Sequence, residues 1–343
     1  MTLRTYVISR VLLTIPMIFI LLTTVFLVMR VLPGDPVQMH FEKMATPEAV
    51  NAMRAQLGLN KPLWAQYVDY VVGLFRGDLG KSMQDYSPVG QQIFSAFPAT
   101  LELAICSMLV AALIGIFLGV ESSKAYNKPK DHVIRVFGII TYAIPVFFLG
   151  MILQMVFGVW LHWLPTGGRT APGLEPTGLT VSGLHFQTGL YTFDSLLEGN
   201  LFKFGVSLKY LLLPSLALGL VLCGIFIRLT RSSMFETMRL DFVTAAKARG
   251  LKETTVTYRY ALRNAFLPVL TMVGLQFAML LGGAVLTETT FSWPGLGRYL
   301  VDRINFRDYT AIQGAVVVFG IFVSLVSLAV DLLYAYLDPR IRL

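Results

Sequence analysis

Gly80-Lys81-Ser82 has the three residues that close a phosphate-binding loop, in which backbone N–H groups cradle phosphates and the lysine reaches toward them. That chemistry needs a glycine five residues before Gly80, but position 75 is Phe, so the pattern fails. His40, His132, His162 and His185 are scattered, with no H-E-x-x-H and no cysteine pair at zinc spacing. Cys106 and Cys223 sit in separate apolar runs and read as small buried thiols rather than a disulfide or metal ligands. Glu102 and Asp331 each lie near the end of an apolar run, where a carboxylate can reach polar surroundings or cap backbone. A proton relay would need charged groups near the middle. No catalytic residue, metal ligand or cofactor site emerges from these patterns.

Docking chemistry is legible instead, in the basic stretch from Asp241 to Pro268 trapped between apolar runs. Asp241 is placed to cap a short helix whose first turn holds Phe242, Val243 and Thr244, while Ala245 and Ala246 keep one face small. Gly250, just past Arg249, predicts a left-handed stop that leaves Leu251 free to pack back on the helix. A second helix is expected to carry Arg259 and Arg263 on one face before Leu267 and Pro268 open the next span. Farther on, Trp293-Pro294-Gly295-Leu296-Gly297 predicts tight turns near a membrane surface. Trp293 reads equally as an interfacial anchor and as part of an outer closure.

The elements that position these residues are helices in a bilayer. Apolar residues make up 55% of the 343 and charged ones 14%, with a mean hydropathy of +0.66, which excludes ordinary soluble domains. Six stretches reach the roughly 20 apolar residues that a spanning helix needs: Val11 to Met29, Ala99 to Val120, Val133 to Trp160, Tyr210 to Ile227, Ala265 to Leu286 and Ala311 to Tyr336. Unpaired strand edges do not survive in lipid, and no alternating barrel pattern is present. Pro16, Pro145 and Pro214 predict bends or breaks. The first run is too long for a signal-peptide core and lacks a small-residue cleavage site, so it reads as a retained anchor.

Charge predicts the orientation. Segments near Arg4 and Arg10, Lys124 to Arg135, Arg228 to Arg263, and Arg340 with Arg342 are basic, whereas the alternate segments balance acids and bases. The net charge of +8 therefore lies on one side, expected to be cytoplasmic along with both termini. No recognition module accompanies the charge, so it reports topology and anionic lipid rather than nucleic acid. Between the first two runs, Pro47 to Leu57 reads as a capped amphipathic helix. Pro62 to Phe75 reads as a second, with Trp64, Tyr67, Tyr70 and Phe75 at roughly helical intervals. Pro165 to Gly189 has no period and is expected to be mostly loop.

Ala245-Ala246, Gly250 and Leu267-Pro268 together resemble the "EAA" cytoplasmic loop of ABC-importer permeases. Thr244 stands at the family's Glu position, and Leu-Pro lies farther from the glycine. Both departures resemble the dipeptide and oligopeptide branch. The resemblance extends through LPGDP at 32–36, GDLGKS at 77–82, TLEL at 100–103, RLTRSSM at 228–234, FSWPGLGR at 291–298 and DPRIR at 338–342.

The resemblance implies an all-α integral membrane protein of six transmembrane helices in the type I ABC-importer permease architecture. Residues 1–30 would hold the first span, 31–98 an external helical segment, and 99–343 the core permease domain with a cytoplasmic coupling loop at about 229–263. It further implies a multi-pass protein of the cytoplasmic membrane that moves peptides by alternating access, with nickel, glutathione or another small solute as the alternative cargo. A nucleotide-independent carrier is a third reading. Implied partners are a homologous second permease, two ABC ATPase subunits carrying ATP and Mg, and an extracytoplasmic substrate-binding protein. Asp241, Phe242, Thr244, Ala245, Ala246, Arg249, Gly250 and Leu251 would couple to the ATPase; Trp293, Pro294, Gly295 and Gly297 would serve an outer gate.

Overall fold

The computed structural model describes residues 3–31, 37, 46–56, 58–181 and 184–337. The LPGDP and DPRIR motifs, His40 and Leu57 lie outside them. Helix α1 (Leu3–Val31) is followed by α2 (Pro47–Gln56) and α3 (Leu63–Phe75). Thr46 precedes α2 and accepts the Ala49 N–H on its hydroxyl at 3.4 Å, with Pro47 in the first turn where its missing N–H costs nothing. Next come α4 (Val89–Lys124), α5 (Pro129–Ala143), and α6 (Val146–Leu153), which runs into a π-helical turn at Gln154–Trp160.

The second half opens with a short antiparallel hairpin, β1 (Leu179–Val181) and β2 (Leu184–Phe186), then α7 (Tyr191–Leu197) and α8 (Leu201–Thr237). The hairpin falls within the stretch expected to be mostly loop and pairs three residues in register. After α9 (Asp241–Ala248), the turn α10 (Glu253–Thr255), a π-helical segment (Val256–Ala261) and α11 (Leu262–Gly283) follow one another directly. The chain closes with α12 (Val285–Thr290), α13 (Leu296–Asn305) and α14 (Tyr309–Leu337).

Five helices among the described residues are long and apolar enough to cross a membrane, or six if the pair α5 and α6 forms one span. The run expected to span over Val133–Trp160 is broken at one of the prolines that predict a bend: the pair bends by 102° between Ala143 and Val146. Pro145 is the cause. It removes an N–H and pushes Ile144 to extended backbone, at φ −73° and ψ 128°. By contrast Pro16 and Pro214 lie inside helices that continue past them.

The core forms where α4, α8 and α11 meet around Leu103, Met108, Leu211, Phe226, Val269 and Leu281. Helices α4 and α8 approach unusually closely at Gly115 and Gly119. A Cβ at these positions would lie 2.4 Å from the Phe226 Cβ and 2.5 Å from the Thr230 Cβ. Small residues four apart let backbones pack in lipid, where no hydrophobic force draws helices together. At the edge, α1 leans on α14 through Leu22, Val25 and Val317, and Arg10 pairs with Asp331 at 3.1 Å.

Candidate functional site

The predicted docking residues form a projecting stub. Leu240, not Asp241, takes the cap position of α9, since its carbonyl accepts the N–H groups of Val243 (3.0 Å) and Thr244 (3.3 Å). Asp241 is therefore the first helical residue, where a carboxylate complements the helix dipole without a capping bond. At the other end Gly250 has φ +71° and donates to Lys247 O at 2.9 Å, and Leu251 N–H reaches Ala246 O at 3.4 Å. These two bonds are the paired closure of a left-handed helix stop.

Burial divides α9 into two faces. Val243 and Ala246 are buried against Val120 of α4, Met234 of α8, and Val256, Ala261 and Ala265. Asp241, Phe242, Thr244, Ala245, Arg249, Gly250 and Leu251 remain exposed. The stub thus rests on the ends of three spanning helices while presenting a mixed apolar and basic surface. Tyr258 ties the following segment to α4 by donating to Glu121 at 3.2 Å.

Further expectations about this stretch change. The second helix is continuous with the span, and Pro268 lies inside α11 instead of opening it. Arg259 occupies the π-helical segment, so the step to Arg263 is not one ordinary helical turn. The span also stops before Leu286, at Gly283, and α12 follows as a separate short helix.

At the opposite end of the bundle the FSWPGLGR motif folds onto the TLEL motif. Trp293 is fully buried, and its Nε1 donates to Ala99 O at 2.9 Å. It does not sit at the surface as an interfacial anchor would. Glu288, just beyond the α11 span and also fully buried, accepts the Thr100 hydroxyl at 2.6 Å and the Arg298 N–H at 2.9 Å. Thr100 in turn accepts the Leu296 N–H at 2.8 Å. Gly295 and Gly297 let the start of α13 lie across this carboxylate. A Cβ on Gly295 would meet Glu288 at 2.3 Å, and one on Gly297 at 2.9 Å. Pro294 is exposed. Burial pushes the Glu288 carboxyl up to about 6, against the lowering effect of the Thr100, Arg298 and Gly297 donors.

Glu102 joins the same region through a partner the sequence did not indicate. Arg169 donates to it from Nε (3.0 Å) and from a terminal nitrogen (2.6 Å), and both side chains are buried. The other Glu102 oxygen accepts the Thr192 N–H and hydroxyl, each at 2.7 Å, so Glu102 does cap backbone as one reading of it required. The Arg169 guanidinium lies over the Tyr191 ring, 3.8 Å from its centroid, and 5.8 Å from that of Trp293.

Other motifs find similar partners. Ser82 of GDLGKS donates to buried Asp308 at 2.5 Å, a structural bond in place of phosphate chemistry. Arg231 of RLTRSSM holds buried Asp131 with bonds of 2.8 and 2.9 Å. The G-x-x-x-G spacing of Gly115 and Gly119 is a packing signal that the expectations above leave out, whereas nothing local marks Arg169 or Asp131. Among the described residues, no three His, Cys, Asp or Glu side chains gather as metal ligands.

Comparison with known proteins supplies the remaining observations. Residues 111–343 match the family described as binding-protein-dependent transport system inner membrane component, and residues 3–104 match its N-terminal counterpart. The chain is 41% identical over 337 residues to the dipeptide transport system permease protein of Alkalihalophilus pseudofirmus, covering 98% of this chain and 99% of that one. It is 39% identical over 340 residues to the di/tripeptide transport system permease protein of Pseudomonas aeruginosa, with 98% of each chain covered. Identity to the glutathione transport system permease protein of Salmonella typhi is 37% over 337 residues, again with 98% of each covered.

Proposed function

The chain belongs to the family of binding-protein-dependent transport system inner membrane components, and we propose that it is the permease subunit of an ATP-binding-cassette importer for dipeptides or oligopeptides. Its family and its apolar helices make it a multi-pass inner-membrane protein and a transport subunit rather than an enzyme. The observation that carries the peptide cargo is likeness over nearly the whole chain to permeases named for dipeptide and di/tripeptide transport. The glutathione permease relative supports a second reading, in which the same machinery carries glutathione.

In the leading reading this permease pairs with a homologous second permease and two ABC ATPase subunits, and an extracytoplasmic binding protein delivers cargo. ATP and Mg belong to the ATPase subunits, which supply the energy. The α9 end is cytoplasmic, with both termini, as the basic segments favour. Phe242, Thr244, Ala245, Arg249 and Leu251 offer the contact surface, and Val243 and Ala246 pass a push to the ends of α4, α8 and α11. Helix α8 is suited to carry it, because 37 residues at 1.5 Å each make a rod of about 55 Å. At the far end, Trp293, Gly295 and Gly297 belong to a closure that opens and shuts with that movement, Pro294 lying on its exposed edge.

Proteoliposomes holding this chain and its partner subunits test the reading. Uptake of labelled dipeptide that requires ATP inside and is competed by other dipeptides is the expected result. Competition by glutathione alone selects the second reading. Uptake that proceeds without nucleotide, or ATP turnover by the purified chain by itself, overturns both. Impermeant thiol reagents check the orientation: a cysteine at position 250 reacts only from the cytoplasmic side, and reaction from outside reverses the assignment.

A further inference from the structure

Helix α3 presents three arcs. Tyr67, Tyr70 and Leu74 face the protein: Phe26 meets the two tyrosine rings at 5.2 and 5.6 Å, and the Tyr67 and Thr23 hydroxyls are 2.7 Å apart. Gln66 and Asp69 form a polar arc, with Asp69 paired to Lys61 at 2.6 Å in the open. Trp64, Val68, Val72 and Phe75 make the third, at i, i+4, i+8 and i+11, and all four are exposed, Trp64 at 72% and Phe75 at 75%. Single exposed apolar residues are ordinary, whereas a stripe along a whole helix marks a surface that something apolar covers.

Depth says what covers it. Helix α1 runs from Arg10, paired with Asp331, to Arg30, a length of about 30 Å at 1.5 Å per residue. This is the thickness of a hydrocarbon core. Phe19 lies near the middle of that run, and its ring centroid is 6.3 Å from that of Phe75. Thr23, the partner of Tyr67, also lies within it. The side of α3 that carries Phe75 therefore reaches below the membrane surface, while Lys61 and Asp69 stay on the other side. Ile20 and Leu27 of α1 are exposed as well.

We infer that α3 is a membrane-associated helix at the bundle end opposite α9, dipping into the outer part of the bilayer with Trp64, Val68, Val72 and Phe75 among the acyl chains and Phe75 the deepest of them. The segment between the first two spans is then held to lipid and is not a wholly aqueous cap. A large indole at the headgroup boundary and a polar arc turned to water are what such a helix requires. The inference rests on the spans alone and stands or falls independently of the transported cargo.

The test uses the full chain with its copurifying partners in lipid nanodiscs. Cysteines are introduced singly for Val68, Phe75 or Asp69 in a Cys106→Ala, Cys223→Ala background and spin-labelled. Dissolved oxygen is expected to collide with the labels at 68 and 75 several-fold more often than a water-soluble nickel chelate does, with the order reversed at 69. Labels at 68 and 75 as open to the chelate as the one at 69 would place α3 in water. Labels shielded from both reagents would place a protein partner on the stripe, and either result overturns the inference. Should labelling disturb assembly, unlabelled protein in brominated lipid serves instead: Trp64→Phe is expected to remove a large share of the quenched tryptophan emission, and an unchanged share counts against the inference.

Discussion

The Glu288 cluster and the α9 stub are built on different principles, although the α9 end also holds one buried long-range pair, Asp131 with Arg231. Around Glu288, buried polar side chains join residues far apart in sequence: Thr100 to Glu288, Trp293 to Ala99, Arg169 to Glu102. Around α9, the closing bonds are between backbone groups of neighbouring turns, from Gly250 to Lys247 and Leu251 to Ala246, and the support beneath is aliphatic. A long-range polar lattice fails when one partner is removed, because the other is left buried and unpaired. A local backbone stop resting on aliphatic contacts tolerates change but sets the angle of what projects. Changes at the lattice should therefore cost stability, and changes at the stub should cost coupling.

Removing a charge from the lattice should give the largest effect. Arg169→Ala leaves Glu102 buried without its ion partner and is expected to cost about 3 to 5 kcal/mol in denaturant unfolding of the purified protein. Adding Glu102→Leu to Arg169→Met should recover part of the loss. A cost within about 0.5 kcal/mol for Arg169→Ala, the level of an ordinary surface change, would break the comparison at its strong end.

Gly295→Ala tests packing without touching charge. Its Cβ must displace the Glu288 carboxylate or the start of α13, at an expected cost of about 1 to 3 kcal/mol. Thermal unfolding that matches the parent would show that this end yields more easily than its packing implies.

Glu288 sharpens the contrast through pH. Its carboxyl is raised from 4.5 to about 6 by burial, so the folded state holds the proton more tightly than the unfolded chain does. The stability this contributes is fully present below about pH 4.5 and is lost as pH rises through about 6, a change of about 2 kcal/mol. Glu288→Gln should flatten unfolding free energy across that window. An identical pH slope in the variant would mean that Glu288 is not the titrating group.

The smallest stability change is expected at the stub. A Cβ at Gly250 meets nothing within 4 Å, so the expected cost of Gly250→Leu is that of its left-handed backbone, about 1 to 2 kcal/mol. Its consequence should instead appear in membranes matched for the amount of this chain, as weaker ATPase-subunit retention or ATP turnover uncoupled from dipeptide uptake. Lys252→Arg should leave both unchanged. Normal retention, turnover and uptake for Gly250→Leu would remove the stub from the coupling role.

Sequence alone determined what depends on neighbours along the chain. Apolar runs long enough to cross a bilayer, the one-sided basic charge and the helix stop at Gly250 follow from hydropathy, charge and backbone sterics, which act over a few turns. The capped helix that starts at Pro47 and the failure of Gly80-Lys81-Ser82 as a phosphate loop were legible for the same reason. Tertiary structure decided the rest. Whether Trp293 met lipid or protein, whether Glu102 found Arg169, and why TLEL and FSWPGLGR occur together depended on which helices became neighbours. The size of the bend at Pro145 likewise required the packed bundle, because proline breaks a helix but the surrounding helices set its direction. Burial turns a scattered carboxylate, threonine or arginine into a structural bond, and burial is a property of the assembled fold.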